Sequence, residues 1–296
     1  MTWQTQLQAL GKLETDVPLA SRTTLGVGGH ARWVFRPFEQ KALVEAMVLI
    51  PSSITILPLG RGSNVLIADK SIDVLVMDLS DVDDLHINGN SIEAGAGVRM
   101  SKLAQTAATS ALSGLEFMAT VPGDLGGGIA MNAGAFGQQV SDVLVSVLIL
   151  ERSGVLQTLR REQLSMSYRY TTLPQDCLVL AATFKLTQGE TEHIRQQMRE
   201  MRKQRSESQP LALPNCGSVF KNPEGNFAAK LIEGAGLKGK KIGHARISDV
   251  HANFIVNEGG ASAEDILALI RLAILEVKKK SNIDLEPEVR FVGCTL

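Results

Sequence analysis

A glycine-rich segment, residues 114–137, constrains the fold of this chain more than any other feature. Seven of its 24 residues are glycine, and its only charged side chains are Glu116 and Asp124. Glycine occurs at such density where the backbone must reach positive φ or lie against another molecule. Backbone N–H groups left outside helices and sheets can converge on a phosphate. The segment therefore predicts a loop that binds a phosphorylated ligand, and the alternative is a mobile glycine loop.

A second glycine-rich turn follows a predicted buried strand at residues 53–59. Its sequence, GRGSN at residues 60–64, combines two glycines with the side-chain donors of Ser63 and Asn64. Two such turns can hold one ligand from both sides. The sequence Gly-Ala-Gly at residues 95–97 is different, because Met100 stands where the dinucleotide fingerprint has its third small residue. We therefore expect that match to be accidental.

The composition argues against several classes of protein. The chain has 296 residues, 44% of them hydrophobic, with a formal net charge of -1 and 4% aromatic residues. It can form two or three domains, and the balanced charge argues against nucleic acid and membranes as partners. The N-terminus lacks the basic start of a signal peptide, so we expect a cytoplasmic protein. Three cysteines and five histidines lack ligand spacing, which predicts reduced thiols and no metal site.

Strand-like and helix-like segments alternate through the first two hundred residues. Apolar residues at helical spacing predict a helix from Met100 to about residue 111. Three strands are predicted after the glycine-rich segment: a buried one at residues 143–150, and two more at 155–159 and 177–186. A charged, solvent-exposed helix is predicted at residues 190–204, where an anion site is the alternative. Proline at 210 and 214 marks a domain boundary, and Ser262 with Asp265 caps a final helix.

The sequence NCGSVFKNP, residues 215–223, is the strongest candidate for chemistry. As a strand, this Ser218 segment would place Ser218 and Phe220 on one face and Val219 and Lys221 on the other. The alternative is a turn serine that bonds its own backbone, and the motif alone leaves both open. The second glycine of a serine-hydrolase elbow is missing, so acyl transfer is not expected.

Seven motifs in order over nearly the whole chain resemble the UDP-N-acetylenolpyruvoylglucosamine reductase (MurB) family. They are RTTLGVGGHA (22–31), LGRGSN (59–64), VPGDLGGGIAMNAGAFG (121–137), SYR (167–169), NCGSVFKNP (215–223), HANFIVN (251–257) and LEPEVRFVG (285–293). The resemblance implies an α+β fold with two FAD-binding subdomains of the vanillyl-alcohol-oxidase-like (PCMH-type) fold and a third α+β substrate-binding domain. The implied boundaries are 1–80 with 284–296 for subdomain 1, 81–205 for subdomain 2, and 206–283 for the UDP-sugar domain.

The resemblance also implies the chemistry. A hydride passes from NADPH to FAD and then to UDP-N-acetylglucosamine enolpyruvate, which gives UDP-N-acetylmuramate for peptidoglycan precursor synthesis. The family's proton donor falls on Ser218, a weak acid that can still protonate a strongly basic enolate. Arg169 would hold the substrate carboxylate as charge develops on it. Glu288 would donate a hydrogen bond in its neutral form, although simple ion pairing is the alternative for both Arg169 and Glu288.

The same resemblance implies the binding residues. Cofactor contacts fall on Gly60, Arg61, Gly62, Ser63, Asn64, Pro122, Gly123, Gly126, Gly127, Asn132, Gly134 and Ala135. Substrate contacts fall on Lys221, Asn222 and Asn253, and we expect a monomer. Asp124 departs from the family's small hydroxyl residue, so its charge is expected to oppose phosphate unless it points away or caps the next turn.

Two rival functions stay open at this point. One is another FAD-dependent oxidoreductase on the same scaffold, such as an alcohol or sugar oxidase. The other is a nucleotide-binding module without catalysis, for which Asp124 is the only indication. The chain also lacks the insert that brings a tyrosine over the substrate in the longer form of the family, so it resembles the compact form and no substrate lid is assigned.

Overall fold

The computed structural model describes residues 2–296 and divides the chain into two compact units, each with its own apolar core. Unit 1 comprises the described part of Met1–Thr15 together with Trp33–Gly60 and Asp73–Gln204. Unit 2 comprises Asp16–Arg32, Arg61–Ile72 and Arg205–Leu296. Both units mix helices and strands, as the predicted α+β class requires. The three-part domain division that the resemblance implies stays a prediction.

Seven α-helices occur within residues 2–296, and several short 3₁₀ turns accompany them. The helices are α1 (Trp3–Leu10), α2 (Ala42–Leu49), α3 (Met100–Thr109), α4 (Leu125–Ala130), α5 (Thr191–Ser208), α6 (Ala228–Gly234) and α7 (Ala263–Ser281). The predicted helices at 100–111 and 190–204 are confirmed as α3 and α5. No helix in this part of the chain combines the length and apolarity needed to cross a bilayer.

Twenty strands occur in the same residues, and many contain only two or three residues. They are β1 (Gly11–Pro18), β2 (His30–Pro37), β3 (Thr55–Pro58), β4 (Val65–Ile67), β5 (Ile72–Met77), β6 (Leu85–Asn88), β7 (Ser91–Gly95), β8 (Leu112–Ser113), β9 (Gly134–Ala135), β10 (Gln138–Gln139), β11 (Leu144–Leu150), β12 (Leu156–Arg160), β13 (Met166–Ser167), β14 (Tyr170–Thr171), β15 (Leu178–Lys185), β16 (Thr187–Gln188), β17 (Lys241–Ile242), β18 (Ala245–Ile247), β19 (Ile255–Asn257) and β20 (Arg290–Val292). The three strands predicted after the glycine-rich segment are confirmed as β11, β12 and β15.

A five-stranded antiparallel sheet, in the order β12-β11-β15-β7-β6, forms the centre of unit 1. Val147 and Ile149 of β11 and Ala182 and Phe184 of β15 are fully or almost fully buried, which explains the apolar runs in these strands. Strand β7, which precedes the Gly-Ala-Gly sequence, has only antiparallel neighbours. A Rossmann unit needs parallel strands, so the match to its fingerprint is accidental, as expected.

Unit 2 is built around α7. This helix packs on α6 and on the antiparallel sheet β17-β18-β19, while β20 pairs in parallel with β4. The predicted capping box is confirmed, because Ser262 accepts the N–H of Asp265 and Asp265 accepts that of Ser262. Both carboxylate oxygens of Asp69 also accept the N–H of Ala263 at 2.9 Å. Side-chain oxygens therefore accept the N–H groups of the N-cap residue Ser262 and of the helix residues Ala263 and Asp265.

Candidate active site

The Ser218 segment lies in unit 2 and is not a regular strand. Asn215 and Phe220 form only isolated bridges, to Val256 and Pro287, and Val219 and Phe220 are both buried. The alternation of faces is expected only of a strand, so it does not apply to this segment. Gly217 has φ +78 immediately before Ser218, a conformation that favours glycine. Ser218 itself is half-buried between this left-handed turn and the two buried residues.

Asn253 bonds the two residues that follow Ser218. Its main-chain oxygen accepts the N–H of Val219 at 2.9 Å. Its side-chain Oδ1 accepts the N–H of Phe220 at 3.0 Å, and its Nδ2 donates to the Phe220 oxygen at 2.8 Å. Asn253 is 4% exposed, so its amide faces the protein. The predicted substrate contact of Asn253 stays a prediction, while the structure gives its side chain a bonded role inside unit 2.

The chain around Glu288 covers the other side of the Ser218 segment. The Glu288 N–H donates to the Val219 oxygen at 2.8 Å, and the Lys221 N–H donates to the Glu286 oxygen at 2.9 Å. Asn64 adds a third connection, because its Nδ2 donates to the Glu288 oxygen at 3.1 Å. The structure therefore brings together Asn64, Ser218 and Glu288, three predicted site residues from distant parts of the sequence.

Cys216 is buried in this cluster and lies close enough to Glu288 to be affected by its charge. Burial raises the pKa of the Cys216 thiol to about 12, and the nearby charge of Glu288 adds to the increase. A thiol with such a pKa stays protonated at neutral pH, so Cys216 is not a nucleophile. It fills the space beside Gly217 as a small apolar group.

Lys221 and Asn222 have protein partners in unit 2. Lys221 Nζ lies 2.6 Å from Glu286 Oε1, and Asn222 Oδ1 accepts the N–H of Ala228, the first residue of α6, at 3.0 Å. The Glu286 side chain is 70% exposed, so that ion pair is worth little to stability and can open for an anion. Substrate binding by Lys221 and Asn222 stays a prediction.

The turn at residues 60–64 is divided between the units, and its part from Arg61 to Asn64 belongs to unit 2. Gly62 has φ +58, and a Cβ atom there would lie 2.5 Å from the Arg22 oxygen. The Gly62 oxygen accepts the N–H of Thr24 at 3.2 Å. Glycine is thus required at this position by the packing of the turn against residues 22–24, independently of any ligand.

In unit 1, the glycine-rich segment contains the short helix α4. The N–H groups of Leu125 and Gly126 donate to the oxygens of Val98 and Ala96, both at 2.9 Å. A Cβ at Gly126 would lie 3.1 Å from that of Ala96, so glycine permits this close approach. The expectation that the whole segment stays outside helices is wrong for α4, because these amides already have acceptors in the protein.

Gly127 differs from the other glycines around it. Gly123 has φ +104, and a Cβ at Gly128 would lie 2.6 Å from Sδ of Met100. A Cβ at Gly127 would meet no heavy atom within 4 Å. Backbone conformation therefore requires Gly123 and packing requires Gly128, whereas Gly127 leaves open space beside α4. This space is where a ligand can approach the backbone.

Asp124 precedes α4 but makes no side-chain capping bond to it. The residue is 8% exposed, and its Oδ2 would lie 2.7 Å from a Cβ placed at Gly60. Of the two arrangements expected for this carboxylate, the cap is therefore not formed. Its oxygen lies against the backbone of Gly60, and this explains why residue 60 has no side chain.

Asn132 holds the end of the glycine-rich segment together. It has 0% exposure, its Oδ1 accepts the N–H of Ser141 at 2.9 Å, and its Nδ2 donates to the Ser167 oxygen at 2.9 Å. Gly134 lies in the following hairpin, where a Cβ would be 2.5 Å from the Gln138 oxygen. Cofactor contacts of Asn132 and Gly134 stay predictions. Independently of a cofactor, the hydrogen bonds require the amide of Asn132, and the packing of the hairpin requires glycine at position 134.

Arg169 lies at the tip of the β13–β14 hairpin of unit 1. It has φ +58, and its guanidinium carbon lies 5.2 Å from the centre of the Tyr168 ring. Two bonds fix the hairpin to the region of α4: Asn132 binds the Ser167 oxygen, and Thr171 Oγ1 donates to the Ile129 oxygen at 2.6 Å. A positive φ is unfavourable for arginine, so the hairpin turn places Arg169 in a conformation that its own side chain does not favour. Unit 1 therefore joins Arg169 to the glycine-rich segment.

In unit 1, the open space beside Gly127 fits the FAD that the sequence resemblance implies, because a dinucleotide phosphate can approach the backbone closely only where no side chain intervenes. No group of three His, Cys, Asp or Glu side chains in residues 2–296 is arranged to hold a metal ion. Sequence reasoning missed the amide contacts of Asn253 and Asn132 within the protein, because their partners are distant along the chain.

Two family models match this sequence. One, described as UDP-N-acetylenolpyruvoylglucosamine reductase, C-terminal domain, matches residues 209–292, and one described as FAD binding domain matches residues 31–160. The UDP-N-acetylenolpyruvoylglucosamine reductase of Agathobacter rectalis is 39% identical over 308 residues, covering 97% of this chain and 96% of the relative. That of Bacillus pumilus is 40% identical over 288 residues, covering 96% and 95%.

Solved structures give the same result. The crystal structure of UDP-N-acetylenolpyruvylglucosamine reductase (MurB) from Thermus caldophilus has a TM-score of 0.82 at 33% identity, and the match covers 95% of this chain and 98% of that one. A variant of berberine bridge enzyme matches with a TM-score of 0.50 at 12% identity, over 64% of this chain and 44% of that one. The second match shows similarity of fold alone. Together with the FAD-binding match they confirm the predicted fold class.

Proposed function

The chain belongs to the UDP-N-acetylenolpyruvoylglucosamine reductase family, and on this premise we propose that Ser218, Arg169 and Glu288 carry out the reduction of UDP-N-acetylglucosamine enolpyruvate. The enzyme is an FAD-dependent oxidoreductase of peptidoglycan precursor synthesis that uses NADPH. Family membership over nearly the full length of the chain argues against both rivals, the alcohol or sugar oxidase and the module without catalysis.

The environment of Ser218 is the observation that carries this proposal. When bound, FAD supplies the hydride, taken from NADPH, that adds to the terminal carbon of the enolpyruvyl group. The substrate then holds a pair of electrons on the adjacent carbon and its carboxylate, as an enolate. Ser218 Oγ–H protonates that carbon. A serine hydroxyl acts as an acid only if it is fixed in place, and bonds from Asn253 and from the Glu288 N–H hold the residues next to Ser218.

Arg169 and Glu288 stabilise the charge that develops before this proton transfer. The guanidinium of Arg169 holds the substrate carboxylate, and its contact with the Tyr168 ring supports it at the hairpin tip. Glu288 donates a hydrogen bond to the enolate in its protonated form. Its backbone N–H bonds the Val219 oxygen, which supports a position for its side chain beside Ser218.

Three finer features belong to the same proposal. Residues 60–64, Gly123 and Gly127 contact the cofactor, and the Lys221–Glu286 ion pair opens so that Lys221 meets the substrate diphosphate. The enzyme works in the cytoplasm, where NADPH is available, and it does so as a monomer. The UDP-sugar binds to the region around residues 206–283, which includes the Ser218 segment.

Replacement of the proton donor tests the proposal. Ser218→Ala should bind FAD and be reduced by NADPH as in the wild type, while oxidation of the reduced enzyme by substrate slows by roughly 10²- to 10⁴-fold. Stopped-flow absorbance measures the two half-reactions separately. Ser281→Ala is the matched control, because its hydroxyl bonds the Val277 oxygen of its own helix. An unimpaired substrate half-reaction with normal product in Ser218→Ala would exclude Ser218 as the donor.

A further inference from the structure

Two asparagines of the HANFIVN motif are alike in chemistry but differ in what they hold. Asn253 and Asn257 are both buried, and each amide accepts and donates hydrogen bonds to main-chain groups. Asn257 Nδ2 donates to the Leu25 oxygen at 3.0 Å, and its Oδ1 accepts the Gly259 N–H at 2.8 Å. Of the two, only Asn253 directs its amide to the Ser218 segment, where it bonds both the N–H and the oxygen of Phe220.

The bonds of Asn253 restrict the rotation of the peptide groups next to Ser218. Its main chain accepts the N–H of Val219, the residue bonded to Ser218, and its side chain engages both the N–H and the oxygen of Phe220. On the opposite side, the Val219 oxygen accepts the Glu288 N–H at 2.8 Å. The peptide group between Val219 and Phe220 is therefore held from both sides, and the one between Ser218 and Val219 is held at its N–H, which restricts the backbone directly after Ser218.

We propose that Asn253 is a positioning residue for proton transfer from Ser218, and that it acts by holding the main chain on both sides of Phe220 through the oxygen and the nitrogen of its amide. This inference rests on the proposed role of Ser218 and replaces a direct substrate contact for Asn253. Its buried amide bonds the main chain of Phe220. The geometry requires a donor at Nδ2 and an acceptor at Oδ1, so the orientation of the amide carries the function.

The isosteric change Asn253→Asp tests that requirement. Ionised, the new side chain can still accept the Phe220 N–H, but its second oxygen faces the Phe220 oxygen and repels it. Protonated, the same oxygen becomes a donor and restores the bond. Burial and the facing oxygen both favour the protonated form, so the change from one state to the other falls between about pH 5 and about pH 9. The variant should therefore recover its activity as the pH falls.

Stopped-flow kinetics of the substrate half-reaction across that pH range gives the first readout. Asn253→Asp should be roughly 10²-fold slower than wild type at alkaline pH, since a displacement of about 1 Å costs that much, and should recover most of this factor as the pH falls. Flavin reduction by NADPH should match the wild type at each pH. Asn257→Asp is the control: it also loses a buried donor, yet should show no recovery specific to the substrate half-reaction.

A second readout needs no variant. In the wild type, hydrogen exchange of the Phe220 N–H should be as slow as that of the α7 core, because exchange requires release of the Asn253 amide. Exchange at the rate of an exposed loop would overturn the inference. So would identical pH profiles for Asn253→Asp and Asn257→Asp. If Ser218→Ala itself leaves the substrate half-reaction intact, the proposed function fails instead, and the two failures are thus distinguishable.

Discussion

The glycine-rich segment and the Ser218 segment solve different structural problems with different means. In the first, small residues allow backbone to approach backbone, as at Gly126 against Ala96 and Gly134 against Gln138. In the second, Gly217 provides a turn and the conformation is held by the side-chain amide of Asn253. Tolerance to substitution should therefore depend on space in the first segment and on the orientation of donors and acceptors in the second.

The largest effect on stability should come from replacing a glycine of the glycine-rich segment that has no room for a side chain. In Gly134→Val, the new Cβ would lie 2.5 Å from the Gln138 oxygen and 2.8 Å from Cβ of Gln139. We expect the free energy of unfolding to fall by about 2 to 3 kcal/mol. Urea unfolding of the apoprotein measures this change. Wild-type stability in the variant would show that flexibility rather than packing determines this position.

A smaller effect, on binding rather than stability, is expected where the same segment is open. Gly127→Val places its side chain in free space beside α4, so stability of the apoprotein should stay within about 1 kcal/mol. FAD affinity should fall at least tenfold, about 1.4 kcal/mol, because the side chain occupies the approach to the backbone. Titration followed by flavin absorbance or calorimetry measures the affinity.

Gly234→Val is the matched control for this binding effect. Gly234 is also helical, and a Cβ there also meets no heavy atom within 4 Å, but it ends α6 in unit 2. FAD affinity should be unchanged in this variant. Equal FAD affinities for the Gly127 and Gly234 variants would show that Gly127 does not lie in the cofactor site. The glycine-rich segment would then have no demonstrated role in ligand binding.

The spacing of apolar residues correctly predicted the helices that bury one face and the strands that lie between two neighbouring strands of a sheet. Strands β11 and β15 and helices α3 and α7 lie close to their predicted positions, because apolar spacing directly records which residues face a core. Helix α4 was missed, since its sequence LGGGIA has poor helix propensity and its first N–H groups are satisfied by oxygens of residues 96 and 98. Local sequence carries no record of such partners.

The candidate site shows the same limit at the level of single residues. Motif order identified the Ser218 segment and Glu288, and the structure joins them through the Val219 oxygen. The amide of Asn253, however, bonds Phe220 across a sequence separation of 33 residues. From sequence alone an asparagine near a predicted site suggests a ligand contact. Its burial and its two main-chain partners could be known only from the fold.

The smallest effect concerns acid sensitivity in unit 2. His251 Nδ1 accepts the N–H of Asn253 at 3.3 Å, and burial lowers the pKa of His251, with a further decrease from the charge of Lys238. The unfolded chain therefore binds a proton on His251 at a higher pH than the folded chain does. Stability from this group is complete above the unfolded pKa of about 6.5 and falls as the pH drops toward the folded value.

Unfolding by urea at several pH values between about 5 and 7.5 measures this dependence. His251→Asn keeps an oxygen acceptor but cannot titrate, so its stability should change less with pH than that of the wild type. A steeper dependence in the variant would contradict the sign of the effect. The glycine-rich segment contains no histidine, and its FAD binding should not follow this titration.

Unit 2 cannot complete its fold until late in translation. Its pieces come from three stretches of the chain, and Asn64 meets the Glu288 oxygen across a sequence separation of 224 residues. At about 5 to 20 residues per second, translation leaves the early turn without its partner for roughly 10 to 45 s. During this interval β4 lacks β20, the strand with which it pairs in the folded unit. Strand β20 is thus made long after residues 60–64, although its Arg290 N–H bonds the Asn64 oxygen in the folded unit.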